Sequence, residues 1–150
     1  MTRIETEIEA PPETVRAVML DFARYKEWHT SVIEKLECIP ASKDGISLVE
    51  GDRIDTRFPN TPMVATVLRN SPAEFRWYGS VMGGAFAGEH YFSFNPSVTR
   101  PGCTTFVHGE DNTGWLRFLF NPGWPLHKVQ SDMFEAYSND LKARVEATER

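Results

Sequence analysis

Ile4, Thr6 and Ile8 alternate with Glu5, Glu7 and Glu9, the period-two pattern of a strand with one buried face. Pro11-Pro12-Glu13 then supplies a helix start, because proline is tolerated in a first turn and a glutamate there complements the helix dipole. Val15, Val18, Met19 and Phe22 follow at i, i+3, i+4 and i+7 and predict a short amphipathic helix. Phe22 to Trp28 continues it as a second short helix or turn. From Val32 to about Asn112 the pattern changes to strands separated by turn residues such as Asp44-Gly45, Asn70-Ser71-Pro72, Gly83-Gly84 and Pro101-Gly102. The segments between are Val32–Ile39, Asp52–Phe58, Met63–Leu68, Glu74–Met82, Ala85–Phe94 and Thr104–Asp111, six strands at hairpin spacing that predict a strongly curved antiparallel sheet. Leu126, Val129, Met133, Tyr137, Leu141 and Val145 then step by three or four, with Lys, Gln, Asp, Glu and Arg on the opposite side. That apolar face of about twenty residues is long enough to cross a sheet. The order is one strand, two short helices, six strands and one long helix: a single α+β domain over residues 1–150 with a seven-stranded antiparallel sheet.

Composition adds a supply of rings. The chain carries 10 Phe, 4 Trp and 4 Tyr, enough to fill a core and still line a cavity. Charge removes a class of partner: 16 Lys+Arg against 21 Asp+Glu leave −5, with no basic cluster of the kind that nucleic acid requires. The charged start Met1-Thr2-Arg3-Ile4-Glu5 does not read as a signal peptide, and Phe118–His127 is too short and too rich in Pro and Gly to span a membrane. Cys38 and Cys103 lack CxxC spacing, so neither a zinc site nor a disulfide scaffold is expected, and a cytoplasmic location is.

Strand parity nominates the chemistry. His90, Phe92 and Phe94 share one face of their strand, and Phe106, His108 and Glu110 share one face of the next. The phenylalanines mark the core side, which places two histidines and a carboxylate in one patch of an apolar interior. One reading is general acid–base catalysis, with His108 as proton shuttle, Glu110 orienting it and His90 bonding a ligand carbonyl or enolate. The other is a buried polar network that satisfies itself. Two histidines and a carboxylate also have the composition of a metal facial triad, but the additional histidines of a barrel site are missing, so no metal and no cofactor is expected. Trp28, Phe58, Trp77, Phe92, Phe106, Phe134 and Tyr137 are candidates to line a pocket or to fill the core, and His29 to border its entrance. Gly114–Trp124 is unusually apolar for a connection; its Trp115 and Phe118 are candidate ligand contacts, and the segment reads as a gate, a homodimer contact or core. Gly79, Gly83, Gly84 and Gly88 mark a turn and a bend, since no phosphate-loop Lys-Ser/Thr follows them.

Several motifs in fixed order resemble a known family. They are Ile8-Glu-Ala-Pro-Pro-Glu-Thr-Val15, Asp21-Phe-Ala-Arg-Tyr-Lys-Glu-Trp28, Gly51-Asp-Arg53, Phe75-Arg-Trp77, Gly88-Glu-His-Tyr-Phe-Ser-Phe94 and Thr105-Phe-Val-His-Gly-Glu110. The chain resembles, over its whole length, the SRPBCC superfamily (START-like, birch-pollen-allergen-like), specifically its polyketide cyclase/dehydrase-type members. The resemblance implies a helix-grip fold, in which the curved sheet wraps the C-terminal helix around a deep apolar cavity. It implies a hydrophobic ligand, aromatic or polyketide-like, but no single reaction. The expected function is a cofactor-independent cyclase, dehydratase, isomerase or lyase; a carrier or sensor of a lipid, quinone or other apolar metabolite is the alternative. Where such sequences usually follow the tryptophan with Asn-Pro, this one has His29-Thr30-Ser31.

Overall fold

A computed structural model describes residues 1–59 and 61–148. The alternating first segment forms β1 (Thr2–Ile8). Pro11 and Pro12 open α1 (Pro12–Leu20), which buries Val15, Met19 and Leu20, and a 3-10 helix over Phe22–Glu27 follows. Then come β2 (Lys35–Ile39), β3 (Arg53–Phe58), β4 (Thr61–Asn70), β5 (Glu74–Val81), β6 (Phe86–Pro96) and β7 (Thr104–Asn112). Every neighbouring pair is antiparallel, in the order β1-β7-β6-β5-β4-β3-β2. The last six strands form a meander, and the first strand closes against the last. α2 (Pro125–Thr148) has 24 residues and packs across the inner face of this sheet, a length of about 36 Å.

Phe75, Trp77, Phe92, Phe94 and Phe106 from the sheet meet Phe134, Tyr137, Leu141 and Val145 from α2, all buried. The apolar stripe of α2 is rotated from the expected one. Its buried residues are Gln130, Phe134, Tyr137, Ser138, Leu141 and Val145, while Val129 is 52% exposed. Gln130, expected on the solvent side, faces the sheet because polar groups of β1 and β7 receive it there.

β2 also begins later than the alternation suggests, at Lys35 rather than Val32. The cause is His29. Its Nε2 accepts hydrogen bonds from the backbone N–H groups of both Val32 and Ile33, at 3.2 Å each, so these residues are held by a side chain instead of a strand. Its Nδ1–H donates to Asp140 Oδ2 on α2 at 2.8 Å. Burial lowers the His29 pKa, with Asp140 pulling against it, and the two bonds into Nε2 require the neutral ring. The expectation that His29 contacts a ligand at a cavity entrance is therefore corrected: both ring nitrogens are used in tying this loop to α2. His29→Ala is expected to cost about 3 kcal/mol, because it leaves two buried N–H groups unpaired and a void beside Tyr137. The urea midpoint checks this, and a wild-type midpoint would contradict it.

Candidate functional site

β6 and β7 pair with His90 opposite Glu110 and Phe92 opposite His108, so the three polar candidates share one patch of the inner face. The two imidazoles meet directly, Nε2 to Nε2 at 2.5 Å, with ring centroids 4.7 Å apart. Phe134 stacks on His108 at 4.1 Å, and Tyr137 meets it edge-on at 5.0 Å. Trp77, Phe92 and Phe134 surround His90 at 4.8–5.2 Å. Burial among these rings disfavours the imidazolium: it pushes His90 down to about 3 and His108 well below the ordinary 6.5, the neighbouring His90 adding to the effect on His108. At neutral pH both rings are neutral and one proton lies between the two Nε2 atoms.

Glu110 is built differently. Residues two apart on a strand share a face but stand about 7 Å apart, and Glu110 does not reach His108. The expected orienting bond to His108 is thus corrected: Glu110 Oε2 accepts from Gln130 Nε2 at 2.7 Å. Gln130 is itself fixed, since its Oε1 accepts from Thr2 Oγ1 at 2.5 Å and from Asn112 Nδ2 at 3.2 Å. Burial raises the Glu110 carboxyl to about 7; Gln130 opposes this and the Asp111 charge adds to it. Gly88, two residues before His90 on β6 and diagonal to Glu110, makes the placement possible. A Cβ there would lie 2.7 Å from Glu110 Oε1 and 2.9 Å from the Asp111 carbonyl, so the glycine is a matter of room for the carboxyl rather than of a bend.

His90, Glu110 and Gln130 line a half-open cavity of about 200 Å³ between β3–β7 and the first half of α2. His90, Glu110, Asn112, Gln130 and Thr61 are its polar lining, and Phe58, Met63, Phe86, Phe120, Met133 and Phe134 supply most of the apolar wall. Phe86 and Phe120 meet edge-on at 5.8 Å. The Phe120 carbonyl is held by His127 Nδ1 at 3.0 Å, which fastens this connection to α2.

Of the candidate ligand contacts, Phe58 and Phe134 line the cavity together with His90 and Glu110. Trp77, Phe92, Phe106 and Tyr137 are core, buried behind that wall, and His108 sits with them. Trp28 packs on Tyr25 and Tyr137 at 5.0 and 5.5 Å, away from the cavity. Trp115 and Phe118 are corrected: they are 65% and 46% exposed and do not line it. The Gly114 and Leu116 N–H groups bond the carbonyls of Ala87 and Ala85, which lays this segment along the start of β6, and Phe120 is the ring that turns inward. Gln130 was legible in principle, as a polar residue four after Leu126 and four before Phe134 on one helical face. Phe120 had no such signal.

A wider groove of about 660 Å³ lies elsewhere, between α1 and β2, lined by Asp21, Glu37, Lys43 and Asp44 among others; His90, His108 and Glu110 do not border it. Among the described residues no group of three or more His, Cys, Asp or Glu side chains is arranged to hold a metal ion, and no helix is long and apolar enough to cross a membrane.

A family model described as polyketide cyclase / dehydrase and lipid transport matches residues 1–146. No curated protein matches the sequence. Solved structures with the same fold include the hypothetical protein jhp0584 from Helicobacter pylori, with TM-score 0.73 and 12% identity over 96% of this chain and 86% of that one. TTHA0849 from Thermus thermophilus follows at 0.67 and 19% over 99% of both chains. A START superfamily protein from Mycobacterium smegmatis gives 0.68 and 18% over 98% and 97%.

Proposed function

The chain belongs to the polyketide cyclase/dehydrase and lipid transport family, and from that premise we propose that it binds a hydrophobic molecule in the Glu110 cavity and acts on it by proton transfer. The observation that carries this reading is a carboxyl in the wall of a largely apolar cavity, with no cationic side chain among the described residues that line it, and with a pKa raised to about 7. A group with that pKa is both a usable acid and a usable base at neutral pH. The histidines are poor candidates for the same task, because burial holds both neutral far into the acid range. The proton-transferring role expected of His108 passes to Glu110.

The chemistry closes on one group. In a dehydration, protonated Glu110 gives its proton to the departing hydroxyl and the carbon–oxygen bond breaks, releasing water. The resulting carboxylate takes the proton from the adjacent carbon as the double bond forms, and the acid is restored. His90 hydrogen-bonds a ligand oxygen, and His108 behind it fixes the His90 ring. Entry runs past Phe120, beside the exposed Phe118 and Trp124.

The carrier reading also has an observation in its favour: Glu110 and His90 already have protein partners, so the wall is satisfied without a ligand. Mass spectrometry of a producer-cell extract incubated with wild type and with Glu110→Gln separates the two. Catalytic conversion of a compound by wild type alone is the expected result. Depletion in proportion to protein, with the compound returned intact from both forms, would overturn proton transfer in favour of carriage.

A further inference from the structure

We propose that the face around the mouth of the Glu110 cavity docks on an anionic lipid surface. Docking of this kind goes beyond the chemistry of Glu110 and does not depend on it. Three connections meet at this face: the β3–β4 turn, the β5–β6 turn and the β7–α2 connection. The Trp115 and Leu116 N–H groups donate to the carbonyls of Gly84 and Ala85, which fastens the third to the second. Pro62, Met82, Phe120 and Leu126 line one groove between all three, and that groove shares Thr61, Val81, Phe86, Phe120 and Leu126 with the cavity.

The side chains that this face leaves in water are large and apolar. Met82, Trp115, Phe118 and Trp124 are all exposed, Met82 by 72%, and Phe118 meets Trp124 edge-on at 6.0 Å. None of the four lines the cavity. Met82 adds a backbone observation: its φ of 54° lies in the left-handed region, where glycine or asparagine fits with less strain. A side chain so exposed contributes little to the fold, so folding gives no reason for methionine at this position. Tryptophans and other apolar side chains at loop tips suit the boundary between headgroups and acyl chains, where a ring is half buried and its N–H stays wet.

Charge decides between a lipid surface and a second copy of the chain. The sequence has 21 Asp+Glu, yet none lies in residues 57–64, 80–88 or 112–131, which make up the three connections, whereas Arg57, Arg117 and Lys128 do. The carboxylates that flank them are accounted for. Glu89 and Asp111 lie within 4.0 and 3.5 Å of Arg76, Asp132 pairs with Lys128 at 2.7 Å, and Glu110 is in the cavity. With Lys128 offset by Asp132, Arg57 and Arg117 still give the face a positive sign on a chain of net charge −5. A second copy would bring the same cations against each other, while anionic headgroups complement them.

Co-sedimentation of the full chain with phosphatidylcholine vesicles, with and without about 30% phosphatidylglycerol, tests this. Binding to the anionic vesicles is expected to be roughly tenfold or more tighter than to the neutral ones, and to weaken when salt rises from about 0.1 to about 0.5 M. Trp115→Ser combined with Trp124→Ser is expected to reduce it by roughly tenfold or more. Met82→Asn, which suits the backbone at that position, is expected to reduce it about threefold with an unchanged or higher Tm. Absence of vesicle binding, equal binding to neutral vesicles, or wild-type binding by either variant overturns docking on an anionic surface. So does a dimer in sedimentation velocity that the tryptophan variant dissolves, which assigns the face to a second copy.

Discussion

Glu110→Gln is expected to be more stable than wild type at pH 8, by about 3 kcal/mol, while losing catalysed turnover by roughly 10²- to 10⁴-fold. The carboxyl is raised from 4.5 to about 7 in the fold, chiefly by burial. Between those values the folded chain holds a proton that the unfolded chain has released. Stability is therefore greatest, so far as this group is concerned, below pH 4.5, and it is lost as pH rises through 7. The amide mimics the protonated acid: its oxygen still accepts from Gln130, and it never ionises. The gap between variant and wild type should open from pH 4.5 and level off above 7. Urea denaturation at pH 5, 6, 7 and 8 measures it. A gap that does not grow with pH would show that the carboxyl ionises normally. The histidines act with the opposite sign, because burial lowers them: their contribution is present above 6.5 and is lost as pH falls well below it, toward about 3 for His90. That acid limb should persist in Glu110→Gln.

The second large effect is structural. His108→Ala should lose about 4 kcal/mol, seen as a fall of about 12 °C in Tm, because it removes a fully buried ring and leaves His90 Nε2 without a partner. His108 is stacked on Phe134 and surrounded by Phe92 and Tyr137, so the void has little means of closing. His108→Phe restores the volume but not the hydrogen bond, and should recover about half of the loss. A His108→Ala protein with wild-type Tm and strongly reduced turnover would return His108 to the role of proton shuttle. Differential scanning calorimetry of the two variants decides between these outcomes.

Periodicity alone carried the element order, the antiparallel sheet and the side of each strand that faces inward. That is why His90, His108 and Glu110 could be placed in one patch from the sequence. What parity does not contain is depth. Phe134 and Tyr137 lie on the same helical face, yet one lines the cavity and the other is sealed behind it, because the position of α2 over the sheet decides which ring has empty space in front of it. The bond from Gln130 to Glu110 was hidden for a related reason. Rotating α2 so that Gln130 rather than Val129 faces the sheet is favoured by partners on β1 and β7 that are remote in sequence. His29 was expected at the cavity entrance because it stands near a helix boundary. Only the folded loop shows the two backbone N–H groups that converge on its Nε2. Trp115 and Phe118 suggested a hydrophobic contact by composition, whereas the backbone bonds of Gly114 and Leu116 to β6 turn them outward.

Proton transfer in this cavity depends on the ionisation of one carboxyl. A ¹³C NMR titration of the glutamate side-chain carboxyls, with the Glu110 resonance assigned by its loss in Glu110→Gln, reads that ionisation directly. A midpoint near 7 is expected, set by burial against an apolar wall with only Gln130 to favour the charge. A midpoint near 4.5 would mean that Glu110 is an ordinary carboxylate at neutral pH, and the proton-transfer reading would fall with it.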